Sequence, residues 1–277
     1  MQHSALINVM IAAARKAART LKRDFGEVEN LQVSLKGPGN FVTAADRKAE
    51  ETLKAELARA RPGYGFLGEE SGSQAGSDAT HTWIVDPLDG TTNFLHGIPQ
   101  FAISIGLERS GTIVAGLIYN PITDELYVAE RGKGAFLNDK RLRVAARKRL
   151  ADSVIACGLP HLGRGDLELG LRELGAVQDK VAGLRRFGAA ALDLAFVAAG
   201  RLDGYWERNI SPWDIAAGLI LVREAGGFVT DLDGGDAMTT KKHIVAGNEM
   251  IHGQLLTALK PASAPEVFAV SGSSARR

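Results

Sequence analysis

The chain has 277 residues, 45% of them hydrophobic and 23% charged, which is an ordinary globular balance and excludes a disordered or collagen-like chain. Lys and Arg total 33 against 32 Asp and Glu, so the net charge of +1 does not favour a general polyanion binder. One cysteine, Cys157, excludes an intrachain disulfide framework and a cysteine-cluster zinc site.

Leu6, Met10, Ala13, Ala17 and Leu21 recur at helical spacing, which predicts an amphipathic first helix. Residues 5–14 imitate the core of an export signal, but residues 1–4 carry no Lys or Arg, so the expected location is the cytoplasm. No run approaches the ~18 apolar residues of a membrane span. A second helix is predicted over 44–61, with Leu53 and Leu57 inward and Pro62-Gly63 as its stop. The aromatic and β-branched runs 64–67 and 82–86 read as strands. Residues 101–107, 112–119 and 125–129 form a predicted meander with turns at Ser110-Gly111 and Asn120-Pro121. A strand at 154–156 follows. Helices over 166–178, 189–199, 213–225 and 248–259 then alternate with strands near 184–187, 203–206, 228–230 and 243–246. This alternation predicts layered α/β structure, and the hairpin-like pairs argue against an all-parallel sheet. Residues 1–260 are expected to form a single unit, with a candidate internal boundary near 131–150. The Pro, Ser and Ala content of 261–277 predicts a mobile tail.

Charge is unevenly laid out. From Pro62 to Glu108 there is no Lys or Arg, but six carboxylates: Glu69, Glu70, Asp78, Asp86, Asp89 and Glu108. From Arg131 to Leu150 there are eight Lys or Arg and one acid, Asp139. The basic stretch reads as a solvated loop or hairpin, with a docking surface for an acidic partner as the alternative.

Within the acidic stretch, Asp86-Pro87-Leu88-Asp89-Gly90-Thr91-Thr92 follows the apolar strand Trp83-Ile84-Val85. Pro87 stiffens the turn, Gly90 allows close backbone approach, and Thr91 or Thr92 is placed to cap a following helix whose start suits an anion. The segment offers two carboxylates and the Leu88 carbonyl, the oxygen set that magnesium prefers alongside phosphate and water. An isolated Asp-x-x-Asp is more often a plain turn. Its company shifts that balance: Glu69-Glu70 closes the preceding strand, and Trp213-Asp214 opens an apolar helix far downstream. Brought together, such carboxylates would repel by ~4 kcal/mol per pair at 4 Å, unless cations intervened.

Glu69-Glu70-Ser71, Trp83 to Phe94 and Trp213-Asp214-Ile215-Ala216-Ala217-Gly218 resemble the signature segments of the inositol monophosphatase family, especially its bacterial inositol-1-monophosphatase branch. Ala189 to Ala195 and Arg223 to Gly227 extend the resemblance, which runs from the first helix to about Leu259. It implies an αβαβα sandwich with mixed, largely antiparallel sheets, magnesium-dependent phosphomonoester hydrolysis, lithium inhibition and a homodimer. Carried over by position, Glu69, Asp86 and the Leu88 carbonyl would hold one Mg2+, and Asp86, Asp89 and Asp214 a second. A weaker third ion would lean on Glu69 and water. Thr91 would orient the attacking water, with Asp46 behind it. Gly90 and Thr91 amides would hold phosphate. Asp89, Gly188, Ala189, Ala190, Glu207 and Arg185 would meet the polyol, with Asp214 beside them. Lys36, before a Gly-Pro-Gly loop, is a lid candidate. Relatives often carry an acid where Asn40 stands, which leaves that loop's metal contacts open.

The remaining single residues read more plainly. Cys157 is expected to be a buried small hydrophobe, and His96 to line the rim of the site. No His-Glu-x-x-His pattern supports zinc hydrolysis. Three alternatives stay open: a sister specificity for histidinol phosphate, fructose bisphosphate or a 3′-phosphonucleotide; an added role with RNA or a transcription partner; and an aspartyl-phosphate mechanism. The last fits poorly, because its acid follows the nucleophile by two residues and Asp89 follows Asp86 by three.

Overall fold

The structure, a computed structural model, describes residues 3–25, 33–35, 41–161 and 165–262. Lys36, Asn40 and residues 263–277 of the expected tail lie outside the described residues. Helix α1 (Ala5–Phe25) leads to a short strand pair, β1 (Val33–Leu35) and β2 (Phe41–Thr43), and then to α2 (Ala44–Ala60). Next come β3 (Tyr64–Gly68), β4 (Gly72–Gln74), β5 (Asp78–Asp89), α3 (Thr91–Leu95), β6 (Ala102–Arg109), β7 (Thr112–Asn120) and β8 (Glu125–Glu130). The hairpin β9 (Gly134–Leu137) and β10 (Lys140–Arg141) ends the first large sheet. The second half holds β11 (Val154–Cys157), α4 (Leu167–Gln178), β12 (Gly183–Arg185), α5 (Ala190–Ala198) and β13 (Gly204–Arg208). It continues with α6 (Pro212–Glu224), β14 (Phe228–Thr230), α7 (Met238–Lys241), β15 (His243–Gly247) and α8 (Glu249–Ala262).

The eight-stranded sheet runs β10-β9-β8-β7-β6-β5-β3-β4 and is antiparallel except at β3–β5. The five-stranded sheet runs β12-β11-β13-β15-β14, with β11 parallel to both its neighbours. Three cores stack these elements. Ile7, Met10 and Leu21 of α1 and Leu53 and Leu57 of α2 pack on Trp83, Val85, Ile103 and Leu117 of the large sheet. The opposite face of that sheet, through Ile118 and Tyr127, meets α5 and α6, which also cover Ala156, Tyr205 and Ala246 of the small sheet. Outermost, Val177 of α4 and Ile251, Leu255 and Leu259 of α8 cover Ile155, Trp206 and Val245. Neighbouring strand residues such as Tyr205 and Trp206 thus serve different cores, as the two-residue strand period requires. The result is an αβαβα sandwich.

Glycine sets how closely α6 approaches the large sheet. Gly106 and Gly116 are directly paired across β6 and β7. A Cβ on Gly116 would lie 2.6 Å from Ile220 Cγ2 and 2.7 Å from the Ala217 carbonyl, and one on Gly106 would lie 2.7 Å from Ala216 Cβ. The Ser104 hydroxyl donates to the Trp213 carbonyl at 3.2 Å, so the start of α6 is tied to β6.

The basic stretch supplies β9–β10 and the link between the sheets. Several of its charges are committed internally: Lys133 to Glu130, Arg149 to Asp152, and Arg147 to the buried Asp203 at 3.0 Å. Arg141 lies over the Phe136 ring. Among the described residues no helix is long and apolar enough to cross a membrane.

Candidate active site

Strand β5 brings Asp86 and Asp89 to one side through an irregularity in its pairing. Asp86 faces Ser104 of β6 and Asp89 faces Ala102, so three steps on β5 match two on β6. In a regular strand, residues three apart point to opposite faces; the extra residue of a bulge removes that conflict. Pro87 lies in the bulge, and buried Leu88 anchors it in the core beneath α1 and α2. Within the turn, the Leu88 amide donates to Asp86 Oδ1 at 2.8 Å.

Helix α6 brings Asp214. Ser211 caps this helix and Pro212 occupies its first turn. Asp214 Oδ2 accepts from the Ser211 amide at 2.8 Å, so one carboxylate both caps the helix and enters the site. Ligand oxygens of Asp86, Asp89 and Asp214 all lie within 4.8 Å of one another. Asp46, Glu69 and Glu70 form a second such group. Buried Glu50 holds the Glu69-Glu70 turn: its two carboxylate oxygens accept from the Glu70 and Ser71 amides, each at 2.8 Å.

Of these groups, Glu69, Asp86, Asp89 and Asp214 line a cavity of about 160 Å³, together with Leu88 and the first turn of α3. Burial raises the pKa of Asp86 well above the ordinary range, helped by the charge of Glu69 and then of Asp89, Asp214 and Asp46. Burial also raises that of Asp89, helped by Asp214 and opposed by the Ala191 amide, which donates to its Oδ2 at 2.7 Å. Clustered hard oxygens with frustrated negative charge suit divalent cations of the magnesium type, so the donor set fits that ion.

Neither threonine caps α3. The cap residue is Gly90, in the left-handed conformation (φ 92°) without a side-chain bond. A Cβ at Gly90 would also lie 2.8 Å from the Gln100 carbonyl, which explains the glycine. Thr91 Oγ1 instead donates to the Leu88 carbonyl at 3.0 Å, with Asp46 Oδ2 at 3.5 Å. A hydroxyl carries a single hydrogen, so its lone pairs stay open to a water.

The far wall holds Gly158, Arg186, Gly188, Ala190, Asp193 and Glu207. Arg185 does not belong to it. It is exposed on edge strand β12, and strand alternation turns it outward while Arg186, just past the strand, lines the cavity. Ala189 is buried in the central core as the cap of α5. His96 ends α3 exposed and does not line the cavity; His161 does. Cys157 is buried against the outer core, and burial pushes its thiol up to about 12. Glu50, Arg186, His161 and Asp193 were not named as site residues from the sequence. A buried acid inside an otherwise apolar helix start, as at Asp193, was the signal available for that residue.

The profile of the inositol monophosphatase family matches residues 2–264. The chain belongs to the inositol monophosphatase family. It is therefore a phosphatase, a phosphoric monoester hydrolase. Within the family, it is 66% identical over 260 residues to an inositol-1-monophosphatase of Mesorhizobium japonicum, covering 94% of this chain and 98% of that one. It is 41% identical over 266 residues to a Nus factor SuhB of Pseudomonas aeruginosa, covering 95% and 98%. The crystal structure of the extragenic suppressor protein SuhB from Bartonella henselae superposes with a TM-score of 0.91 at 62% identity, over 93% of this chain and 99% of that one.

Proposed function

We propose that the protein hydrolyses inositol monophosphate to myo-inositol and phosphate, using water as the nucleophile and two to three Mg2+ ions. The observation that carries this reading is the meeting of Asp86, Asp89 and Asp214, from β5 and α6, beside Glu69 and Thr91 in one cavity. The relative named an inositol-1-monophosphatase at 66% identity supports the substrate. Glu69, Asp86 and the Leu88 carbonyl would hold one ion, and Asp86, Asp89 and Asp214 another. Bound ions would acidify water and stabilise charge on the leaving oxygen.

The chain's own groups do the positioning. Thr91 Oγ1, turned by the Leu88 carbonyl, accepts a hydrogen bond from the attacking water, with Asp46 behind it. The first turn of α3 receives the phosphate. Glu207 and the start of α5 face the alcohol portion. The water oxygen bonds to phosphorus as the ester P–O bond breaks, and the proton that the water gives up is replaced, through solvent, on the departing alkoxide, so no covalent phosphoenzyme forms. Lithium inhibition, a homodimer and a cytoplasmic location belong to the same reading.

The test is phosphate release from inositol 1-phosphate, histidinol phosphate, fructose bisphosphate and a 3′-phosphonucleotide, with Mg2+, with chelator and with lithium. Full activity in chelator refutes the site assignment, and preference for another ester changes the substrate. The 41% identical relative named a Nus factor favours a second, added role with RNA or a transcription partner. The internal pairing of Lys133, Arg147 and Arg149 weighs against the basic stretch as its surface. Binding of RNA or a transcription protein, measured against salt in the Asp86→Asn variant, separates that role from catalysis.

A further inference from the structure

Asp193 lines the active-site cavity, and the catalytic reading leaves it unused. It sits in the first half of α5, is 2% exposed, and lines the cavity with Glu207 and Arg186. Its Oδ1 is buried and has no hydrogen-bond partner among the described residues. Leaving a buried acceptor unmet costs about 1–3 kcal/mol, more for a charged one, so such a group calls for an explanation.

Its neighbours supply one. Glu207 is held in place from two sides: its Oε2 accepts from the buried Tyr205 hydroxyl, and its carboxyl group lies where any side chain on Gly158 would collide with it. Asp193 is fixed by its helix. Together they form a wall of acceptors in the same cavity as the Asp86–Asp89–Asp214 cluster, open to the alcohol portion of a phosphate ester. Arg186 lines the same wall and offsets part of its negative charge, so a guest there need not be a cation. Neutral hydroxyl donors fit both features.

We propose that Asp193 is a specificity-determining residue that accepts a hydrogen bond from a ring hydroxyl of the substrate, and so selects polyol phosphates over hydroxyl-free esters. This rests on the phosphatase reading above. A site built to bond a hydroxyl rejects an analogue lacking it far more strongly than an apolar pocket does, because the acceptor is then left unmet.

The experiment compares kcat/KM for inositol 1-phosphate and for phenyl phosphate in the wild type, Asp193→Ala and Asp193→Asn, with thermal melts alongside. Asp193→Ala should lower the ratio of inositol 1-phosphate to phenyl phosphate by about tenfold or more, chiefly through KM. Asp193→Asn keeps a carbonyl acceptor and should restore the ratio to within about threefold of wild type. Equal loss on both esters in folded Asp193→Ala would make the residue structural and overturn the proposal. An unchanged ratio would also overturn it. So would a phosphorylated amino alcohol that loses more than inositol 1-phosphate, since the recognised group would then be a cation. A wild type inactive on both esters would instead refute the phosphatase reading, and this proposal with it.

Discussion

Asp86→Asn should stabilise the chelator-treated protein while abolishing its activity. The substitution removes one charge and keeps an oxygen able to accept from the Leu88 amide at 2.8 Å. Ligand oxygens of Asp86, Asp89 and Asp214 lie within 4.8 Å. At that separation and an effective dielectric of 20, each fully ionised pair repels by roughly 3.5 kcal/mol. Asp86 faces two such partners, and because burial and these charges raise its pKa, proton uptake relieves part of the repulsion, so the net relief is about 2–4 kcal/mol. That corresponds to a gain of roughly 4–16 °C in Tm at pH 8. The sign with pH follows from linkage. A carboxyl whose folded pKa is raised contributes stability below its unfolded pKa of ~3.9 and loses it as pH rises through the folded value. The chelated wild type should therefore lose Tm from pH 5 to pH 8, and Asp86→Asn should lose less. Added Mg2+ should raise the wild-type Tm more than the variant's, through binding to the folded state. Scanning calorimetry with chelator or Mg2+ measures all three. A chelated Asp86→Asn no more stable than wild type at pH 8 would show that these carboxylates do not share an uncompensated field.

Thr91→Val keeps shape and removes the hydroxyl, so kcat should fall by about 10²-fold with little change in Tm, measured by steady-state phosphate release. Glu50→Gln leaves one of the Glu70 and Ser71 amides without its acceptor, which should cost about 1–3 kcal/mol in a denaturant melt. It should also weaken Mg2+ binding by about 10–100-fold in titration calorimetry, because Glu50 holds the turn that carries Glu69. Gly116→Ala places a methyl against Ile220 and the Ala217 carbonyl; urea unfolding should show a loss of about 1–3 kcal/mol, and kcat should fall as α6 shifts Asp214.

Most elements were legible because their signal is local. The helical spacing of Leu6, Met10 and Leu21 marked α1, and the acid, proline and glycine of Asp86 to Gly90 marked a turn at the end of a strand. The elements passed over, β1, β2, β4 and α7, span only 3 or 4 residues each, too few to show a period. The 131–150 stretch read as solvated cation, but Arg147 reaches the buried Asp203 across 56 positions, a pairing no local pattern announces.

By itself the sequence determined which residue types were available for the chemistry and which segments carried them, since strand alternation, helix periodicity and turn composition act between neighbours. Only the tertiary structure decided their convergence. The β5 bulge turned Asp86 and Asp89 to one face, the glycine pair let α6 bring Asp214 to them, and Glu50 fixed the turn bearing Glu69. It also replaced Arg185 by Arg186 on the far wall and left Asp193 buried there. Electrostatic repulsion, close packing and burial depend on distance in space, and residues more than 100 positions apart acquire that distance only when the layers stack.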